Sequence, residues 1–402
     1  MTLPGLDALR TAAWFNPQRA RAYLALVALT MLVLACAVVV RVGGSAWHDP
    51  LGRPVIGDFD AFWSAARLAL SGHAALVYDR TAIGAAEAVG VQSPGGQYLP
   101  YFYPPVFTLL CLPFGLPGYL PALAIFSLGG AAAAAFALRR ILPAAFPTLA
   151  IVAFPGLVMN AAIGQNGFVS ALSFSGALVW LECRPALAGA CLGVLVYRPQ
   201  LAVCVPVALL AARRWRALLS CAATAVALIL ASAAVLGTAS WTAFAAALPA
   251  ISRVPQMADI QPKLLSMFAA VRLLHGPAPL AAAAQAATAL TVLTVLARVA
   301  SRRPGAGPEV ACLVAAALLC TPYLLDYDLV CLGVPLAWMA GQGALGGFRP
   351  WEKLTLATLF ILPLVARSLN ITVGLPLTPL LLTALLAICA RRALIRPMPV
   401  PA

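Results

Sequence analysis

The chain has 402 residues, of which 63% are hydrophobic and 9% charged, with a formal net charge of +14, 33 prolines and 30 glycines. Soluble domains carry about 25% charged residues, whereas apolar runs of about 20 residues, each long enough to cross a hydrocarbon layer, recur throughout this sequence. That excludes a soluble enzyme, a secreted disulfide module, a disordered tail and a β-barrel of alternating strands. It predicts an all-α, polytopic transmembrane helical bundle forming one integral membrane domain over residues 1–402.

The first predicted span is Tyr23 to Val40, preceded by Arg10, Arg19 and Arg21. Basic loops stay cytoplasmic, and the run lacks a small-residue cleavage site, so it reads as an uncleaved anchor. The last hydrophobic run, Pro376 to Ala390, is followed by Arg391, Arg392 and Arg396, which places both termini inside. Between them, spans are expected near 105–138, 146–163, 168–181, 186–197, 200–212, 217–237, 277–297, 309–322, 329–341, 353–369 and 375–390, about twelve with the first. The stretch from Pro104 to Leu138 is interrupted by Leu112-Pro-Phe-Gly-Leu-Pro-Gly118 and reads either as one kinked span or as two short ones. Under the even count, 17 of the 26 Lys+Arg and four acids (Asp7, Glu182, Glu309, Glu352) fall inside, leaving the two sides at +13 and +1. The basic excess is therefore a topology signal with an affinity for anionic lipid heads, and no basic soluble face exists to bind nucleic acid. His48, His73 and His275 all fall outside, so titratable chemistry gathers at the outer face.

The ten cysteines lie in or beside spans with no CxxC or CxxH spacing, as expected of small apolar packing residues rather than disulfides or a zinc site.

Two long outer loops, 43–103 and 238–277, hold most of the surviving polarity. Asp58 opens a run through His73 in which Phe59, Phe62, Trp63, Ala66 and Leu70 share or adjoin one helical face, as in a helix lying in the membrane interface. Asp58 is either a helix N-cap or a functional carboxylate. A second short interfacial helix is expected over Thr81 to Val89. Tyr101-Phe-Tyr-Pro-Pro105 then carries aromatics at headgroup depth into a proline-started helix. Gly164-Gln-Asn-Gly167 reads equally as a tight helix–helix turn or as a binding element. Arg198, within Tyr197-Arg-Pro-Gln200, is an outer-side arginine in an apolar frame and requires a partner. A phosphate fits its fork, and snorkelling to the headgroups is the alternative. Asp326 and Asp328, interleaved with tyrosines, either bind sugar hydroxyls or a cation or cap the helix that follows. In the second loop, Lys263 to Leu274 reads as another interfacial helix, with Arg253, Gln256 and Asp259 nearby.

These segments, taken in order, resemble glycosyltransferase family 87, a GT-C type family of polytopic transferases that includes α-mannosyltransferases. The resemblance rests on Asp58-Phe…Trp63-Ser-Ala-Ala-Arg67…Gly72…Tyr78-Asp79, Tyr103-Pro-Pro105, Gly164-Gln-Asn-Gly167, Tyr197-Arg-Pro-Gln200, Ala211-Ala-Arg-Arg-Trp215 and Pro322-Tyr…Asp326-Tyr-Asp328-Leu. It covers about residues 55 to 340. Two departures are Arg198 where members often have Lys, which keeps the charge, and Ala74 where Pro is common.

The resemblance implies a polyprenyl-phosphate sugar donor, usually of mannose, a lipid or glycan acceptor, and inverting transfer on the outer face of the cytoplasmic membrane. It makes Asp58 the general base. The substrate-binding candidates are Asp60, Arg67, Tyr103, Gln165, Asn166, Arg198, Gln200, Asp326 and Asp328. The leaving group is already a lipid phosphate, so no cofactor and no obligatory metal are expected. Two other classes remain open on the residues alone. A lipid-linked-sugar transporter or flippase would place ionisable groups near the midplane in repeated broken helices, and no convincing repeat is present. A non-catalytic membrane subunit would tolerate loss of Asp58.

The charge asymmetry predicts that, in intact cells and in a background lacking the native cysteines, a membrane-impermeant thiol reagent labels a cysteine placed at Ser93 and spares one at Ala402. The reverse pattern would invert the topology and the site with it.

Overall fold

The computed structural model describes residues 4–43, 57–90, 99–257 and 260–394. His48, Ser93, Asp259, Arg396 and Ala402, which enter the sequence reading, lie outside the described residues. Among the described residues every regular element is helical. Among the described residues six helices are long and apolar enough to cross a membrane: Pro17–Ala37, Tyr119–Ile141, Trp215–Leu236, Ala278–Ser301, Asp326–Gly346 and Glu352–Val373.

Pro105–Gly115, Gly167–Trp180, Pro185–Tyr197, Pro199–Ala211 and Ala306–Cys320 are shorter apolar helices. Of the twelve expected spans, six are met by the long helices, four (168–181, 186–197, 200–212 and 309–322) by helices of shorter length, and 146–163 and 375–390 by neither. At 1.5 Å per residue the 14-residue helix Gly167–Trp180 is about 21 Å long, less than a hydrocarbon core of about 30 Å. The cause is local: prolines begin Pro155–Ile163, Pro185–Gly193 and Pro199–Ala202, and each restarts a helix the hydropathy alone would have continued. The ambiguous stretch after Pro104 is resolved as two elements. A short helix ends at Gly115, and a full-length one runs from Tyr119 to Ile141 with a widened turn at Ile125–Gly129.

Burial sorts the bundle from centre to rim. Ala306–Cys320 is buried over most of its length, with Ala311, Ala315, Ala316 and Ala317 at its tightest contacts. A helix apolar on all sides belongs in such a position, and small side chains let neighbouring backbones approach. Pro17–Ala37 and Trp215–Leu236 stand at the rim with most of their surface uncovered. One close contact at the rim is made by glycine spacing. A Cβ at Gly189 would lie 2.0 Å from the Ala217 carbonyl oxygen, and one at Gly193 would lie 2.5 Å from that of Cys221. Gly189-x-x-x-Gly193 thus seats Pro185–Gly193 directly on Trp215–Leu236, a small-xxx-small pattern that hydropathy does not display.

The ion pairs agree with the charge census. Arg214 bridges Glu182 at 2.5 Å and Glu309 at 3.0 Å, and Glu352 pairs with Arg392 at 2.5 Å and Arg391 at 3.5 Å. The N-terminal region joins that end, where the Trp351 amide donates to the Arg10 carbonyl and Lys353 to that of Phe15. Arg198–Asp328 and Arg367–Asp326 lie at the other end. Among the described residues, each of these pairs joins two residues that the sequence assigned to the same side.

Gly189→Ala is expected to destabilise the bundle, since the added methyl meets backbone and not a yielding side chain; overpacking of this kind costs about 1–3 kcal/mol. Thermal unfolding of the purified protein in detergent measures it, and an unchanged Tm would mean the two helices separate without cost.

Candidate active site

Asp58 opens the helix Asp58–Leu70 but does not cap it. Gly57 occupies the cap position and no side-chain cap bond is made there. The carboxylate is instead held from across the bundle: Gln165 Nε2 donates to its Oδ2 at 2.8 Å. Gln165 sits in the turn between Pro155–Ile163 and Gly167–Trp180, and both glycines of that turn are required by space. Gly164 adopts a left-handed φ of 70°, and a Cβ there would lie 2.7 Å from the Cβ of Phe59. A Cβ at Gly167 would lie 2.3 Å from Asn160 Nδ2 and 2.8 Å from the Tyr327 carbonyl. Asn160 Nδ2 donates to that same carbonyl at 2.9 Å. The turn is thus a tight helix–helix connection and also a clamp, pressing the Asp58 helix on one side and the Asp326-Tyr-Asp328 segment on the other.

Asp326 and Asp328 have separate duties. Asp328 is buried in an ion pair with Arg198, and its Oδ2 accepts from the Leu325 amide at 3.1 Å. Arg198 also donates to the Tyr103 hydroxyl at 3.2 Å, and its guanidinium lies 5.4–5.9 Å from the ring centres of Tyr327, Tyr103 and Tyr197. Arg198 is 3% exposed. The partner its position demanded is Asp328, and burial rules out snorkelling. Asp326 pairs with Arg367 at 3.4 Å, a residue the sequence reading passed over.

The loop after residue 260 is docked on this segment. The Leu265 amide donates to the Leu324 carbonyl at 2.8 Å, and Asn370 Nδ2 to the Leu264 carbonyl at 2.8 Å. This brings Lys263 within electrostatic reach of Asp58, together with Arg367 and Asp326. The expected interfacial helix from Lys263 to Leu274 is shorter than predicted, forming over Met267–Leu273 behind a Ser266 cap. Burial pushes the Asp58 carboxyl above the ordinary carboxylate range, while the Gln165 bond and the charges of Arg367 and Lys263 oppose that rise. The result is a half-buried carboxylate with raised basicity, suited to accept a proton.

Five candidates meet around Asp58 or its immediate supports: Tyr103, Gln165, Arg198, Asp326 and Asp328. Asn166 belongs to the same turn, is fully buried, and has both side-chain polar atoms without a partner. Three other candidates are not brought in. Arg67 is exposed and stacks over Trp63 at 5.5 Å. Gln200 is half-buried and bonds to none of these residues. Asp60 is 3% exposed and turns toward the helix Arg80–Gly90, where Ser64 and the charge of Glu87 are its neighbours.

An apolar cavity of about 280 Å³ lies beside the site, lined among others by Phe107, Phe114, Phe126, Gly129, Phe168 and Leu172. Phe107 and Phe126 also face inward. Phe126 packs on Phe59 with ring centres 5.0 Å apart, and Phe107 on Tyr103 at 4.6 Å. The cavity and the polar cluster therefore share one aromatic wall.

A polytopic helical bundle that carries a basic carboxylate and cations at one end, with an apolar cavity alongside, has the layout of a membrane enzyme acting where lipid meets water. The family model of glycosyltransferase family 87 matches residues 101–322, more than half of the chain, and the protein belongs to that family and is a membrane glycosyltransferase. The matched residues include Tyr103, the Gly164–Gly167 turn and Arg198; Asp58, Asp326 and Arg367 lie outside them. No curated protein and no solved structure matches the chain.

The buried pair Asp60 and Glu87 gives a pH prediction. Burial first, then the neighbouring Glu87 charge, pushes Asp60 up from 3.8 to about 8, and burial pushes Glu87 from 4.5 to about 7. Both hold protons in the folded chain that the unfolded chain releases. Between the ordinary and the raised values the folded state binds more protons, so stability falls as pH rises through that window. Tm is expected to decline from about pH 5 to about pH 8, and Asp60→Asn to flatten the decline. Equal slopes in the two proteins would remove Asp60 from that role.

Proposed function

We propose that the protein transfers a hexose, with mannose the first sugar to test, from a polyprenyl-phosphate donor to a lipid or glycan acceptor on the outer face of the cytoplasmic membrane. The proposed architecture is of the GT-C type, with the loops 43–103 and 238–277 at the outer face. Support for the outer placement comes from the charge census and from the gathering of Asp58, Lys263, Asp326 and Arg367 at the end opposite the arginine-rich one. Support for a lipid-linked donor comes from the apolar cavity sharing Phe107 and Phe126 with the wall of the polar cluster. An isoprenoid chain is the kind of ligand that such a surface accepts.

The observation that carries the reading is the environment of Asp58, a half-buried carboxylate oriented by Gln165 and flanked by cations. In the proposed reaction the acceptor hydroxyl gives its proton to Asp58 as its oxygen attacks the anomeric carbon. The bond from that carbon to the phosphate oxygen breaks on the opposite face, and its electron pair leaves with the polyprenyl phosphate, so the anomeric centre inverts. Nearby cations stabilise the charge that develops on the leaving phosphate. Tyr103 and Tyr323 offer ring surface and hydroxyls to the sugar.

Asp58→Asn tests this directly, because it preserves shape and a bond with Gln165 but takes up no proton. Turnover of polyprenyl-phosphate mannose by the purified protein is expected to fall by about 10²–10⁴-fold with folding and donor binding kept. The cap at Gly57 is untouched by the change, so loss of helix capping is not a competing cause. Near-parental turnover would reject Asp58 as the base.

A further inference from the structure

We infer that Arg367, with Lys263 beside it, holds the phosphate of the donor, and that Arg198 serves as a positioning residue; this rests on the lipid-phosphate donor proposed above. Arg198 and Arg367 differ in the ways that matter. Arg198 is 3% exposed, is neutralised by Asp328, and is enclosed by three tyrosine rings. For a phosphate to reach it, the buried carboxylate of Asp328 would have to give up its only cation, which is strongly unfavourable.

Arg367 is open. Its side chain is 37% exposed while its partner Asp326 is buried, and its nearest approach to Asp326 is from Nε, at 3.4 Å. Its two terminal Nη groups donate to no residue among those described. A planar guanidinium engaged on one edge and free at its tip presents a fork to an incoming anion, and phosphate oxygens fit that fork bidentately. Lys263 likewise has no bonded partner among the described residues, and the loop that carries it is fixed by the Leu265–Leu324 and Asn370–Leu264 bonds. Both cations act on the carboxylate of Asp58, and so does Asp326.

The charge balance fits a phosphate. Asp58, Asp326, Arg367 and Lys263 sum to zero when ionised, so a donor carrying one negative charge arrives at a site that is neutral on average but polarised. When the bond from the anomeric carbon to the phosphate oxygen breaks, the phosphate gains a second negative charge and Asp58 loses its own by taking the acceptor proton. Total charge in the site is conserved while negative charge moves from Asp58 onto the phosphate. Cations placed between the two stabilise both ends of that shift without moving.

The test is the binding of farnesyl phosphate to purified protein in detergent, with uncharged farnesol as the reference ligand. Arg367→Gln is expected to weaken farnesyl phosphate at least tenfold and leave farnesol unchanged, Arg367→Lys to retain part of the affinity, and Lys263→Gln to lose several-fold. Arg367→Gln also strips Asp326 of its partner, so the double variant Asp326→Asn/Arg367→Gln separates the two duties. If Arg367 holds phosphate, the double variant stays weak. Recovery of parental affinity in the double variant would show that Arg367 only neutralises Asp326, and parental affinity in Arg367→Gln itself would also overturn the assignment. Parent protein that fails to bind farnesyl phosphate at all overturns the lipid-phosphate donor along with it, whereas the previous outcomes leave that donor standing.

Discussion

The end of this bundle that carries Asp58 depends on the ion pair between Arg198 and Asp328. Neither group reaches water, and three tyrosine rings surround the guanidinium. Removing one member of such a pair costs about 3–5 kcal/mol, because the other is left charged and unpaired. The pair ties the break between two short helices at Pro199 to the segment that begins the span Asp326–Gly346. Through the Leu325 amide, Asp328 also fixes the turn from which Asp326 projects. Asp326 in turn locates Arg367. One buried contact therefore sets where a buried carboxylate and its more exposed arginine stand.

The Gly164–Gly167 turn does the same work for Asp58. Its glycines are small because two backbones pass close on either side, and its glutamine reaches the carboxylate that the turn has brought near. Residues 107 positions apart are joined by that one bond. Precision of this sort needs a rigid support, and the support is a short helix pair held between the Asp58 helix and the Tyr327 backbone. Both side-chain polar atoms of Asn166, buried in the same turn, and Oδ1 of Asn160 beside it are left without a hydrogen-bond partner by this packing.

Much of this was legible in the sequence, for identifiable reasons. Composition gave the helical membrane class, and the sign of the loops separated residues that do lie at opposite ends. Asp58, Gln165, Arg198, Asp326 and Asp328 stood out because a polar side chain in an apolar stretch is costly and so conspicuous. The same argument applies to Arg367, which closes an apolar helix, but no motif surrounds it to single it out. The short helices Gly167–Trp180, Pro185–Tyr197 and Pro199–Ala211 fall where hydropathy puts them, but hydropathy counts each as a span although each is shorter than a hydrocarbon core. Asp60 illustrates a different limit. It stands among the substrate-binding candidates, yet two residues along a helix turn a side chain well away from Asp58, and the charge acting on Asp60 is that of Glu87. Partners that come from distant segments, such as Gln165 for Asp58 or Asp328 for Arg198, leave no trace in local pattern.

The cavity beside the site is bordered by Ile125, Gly129 and Ala133, residues on the uncovered face of the helix Tyr119–Ile141. That face belongs to a helix long and apolar enough to cross a membrane, so the cavity is suited to entry from lipid and not from water. A molecule that uses it arrives by lateral diffusion, and its supply is set by mole fraction among the surrounding lipids, not by molarity. Apparent affinities would then scale with how much detergent or lipid dilutes the protein, and saturation curves at different bilayer-to-protein ratios would collapse onto one only when plotted against surface density.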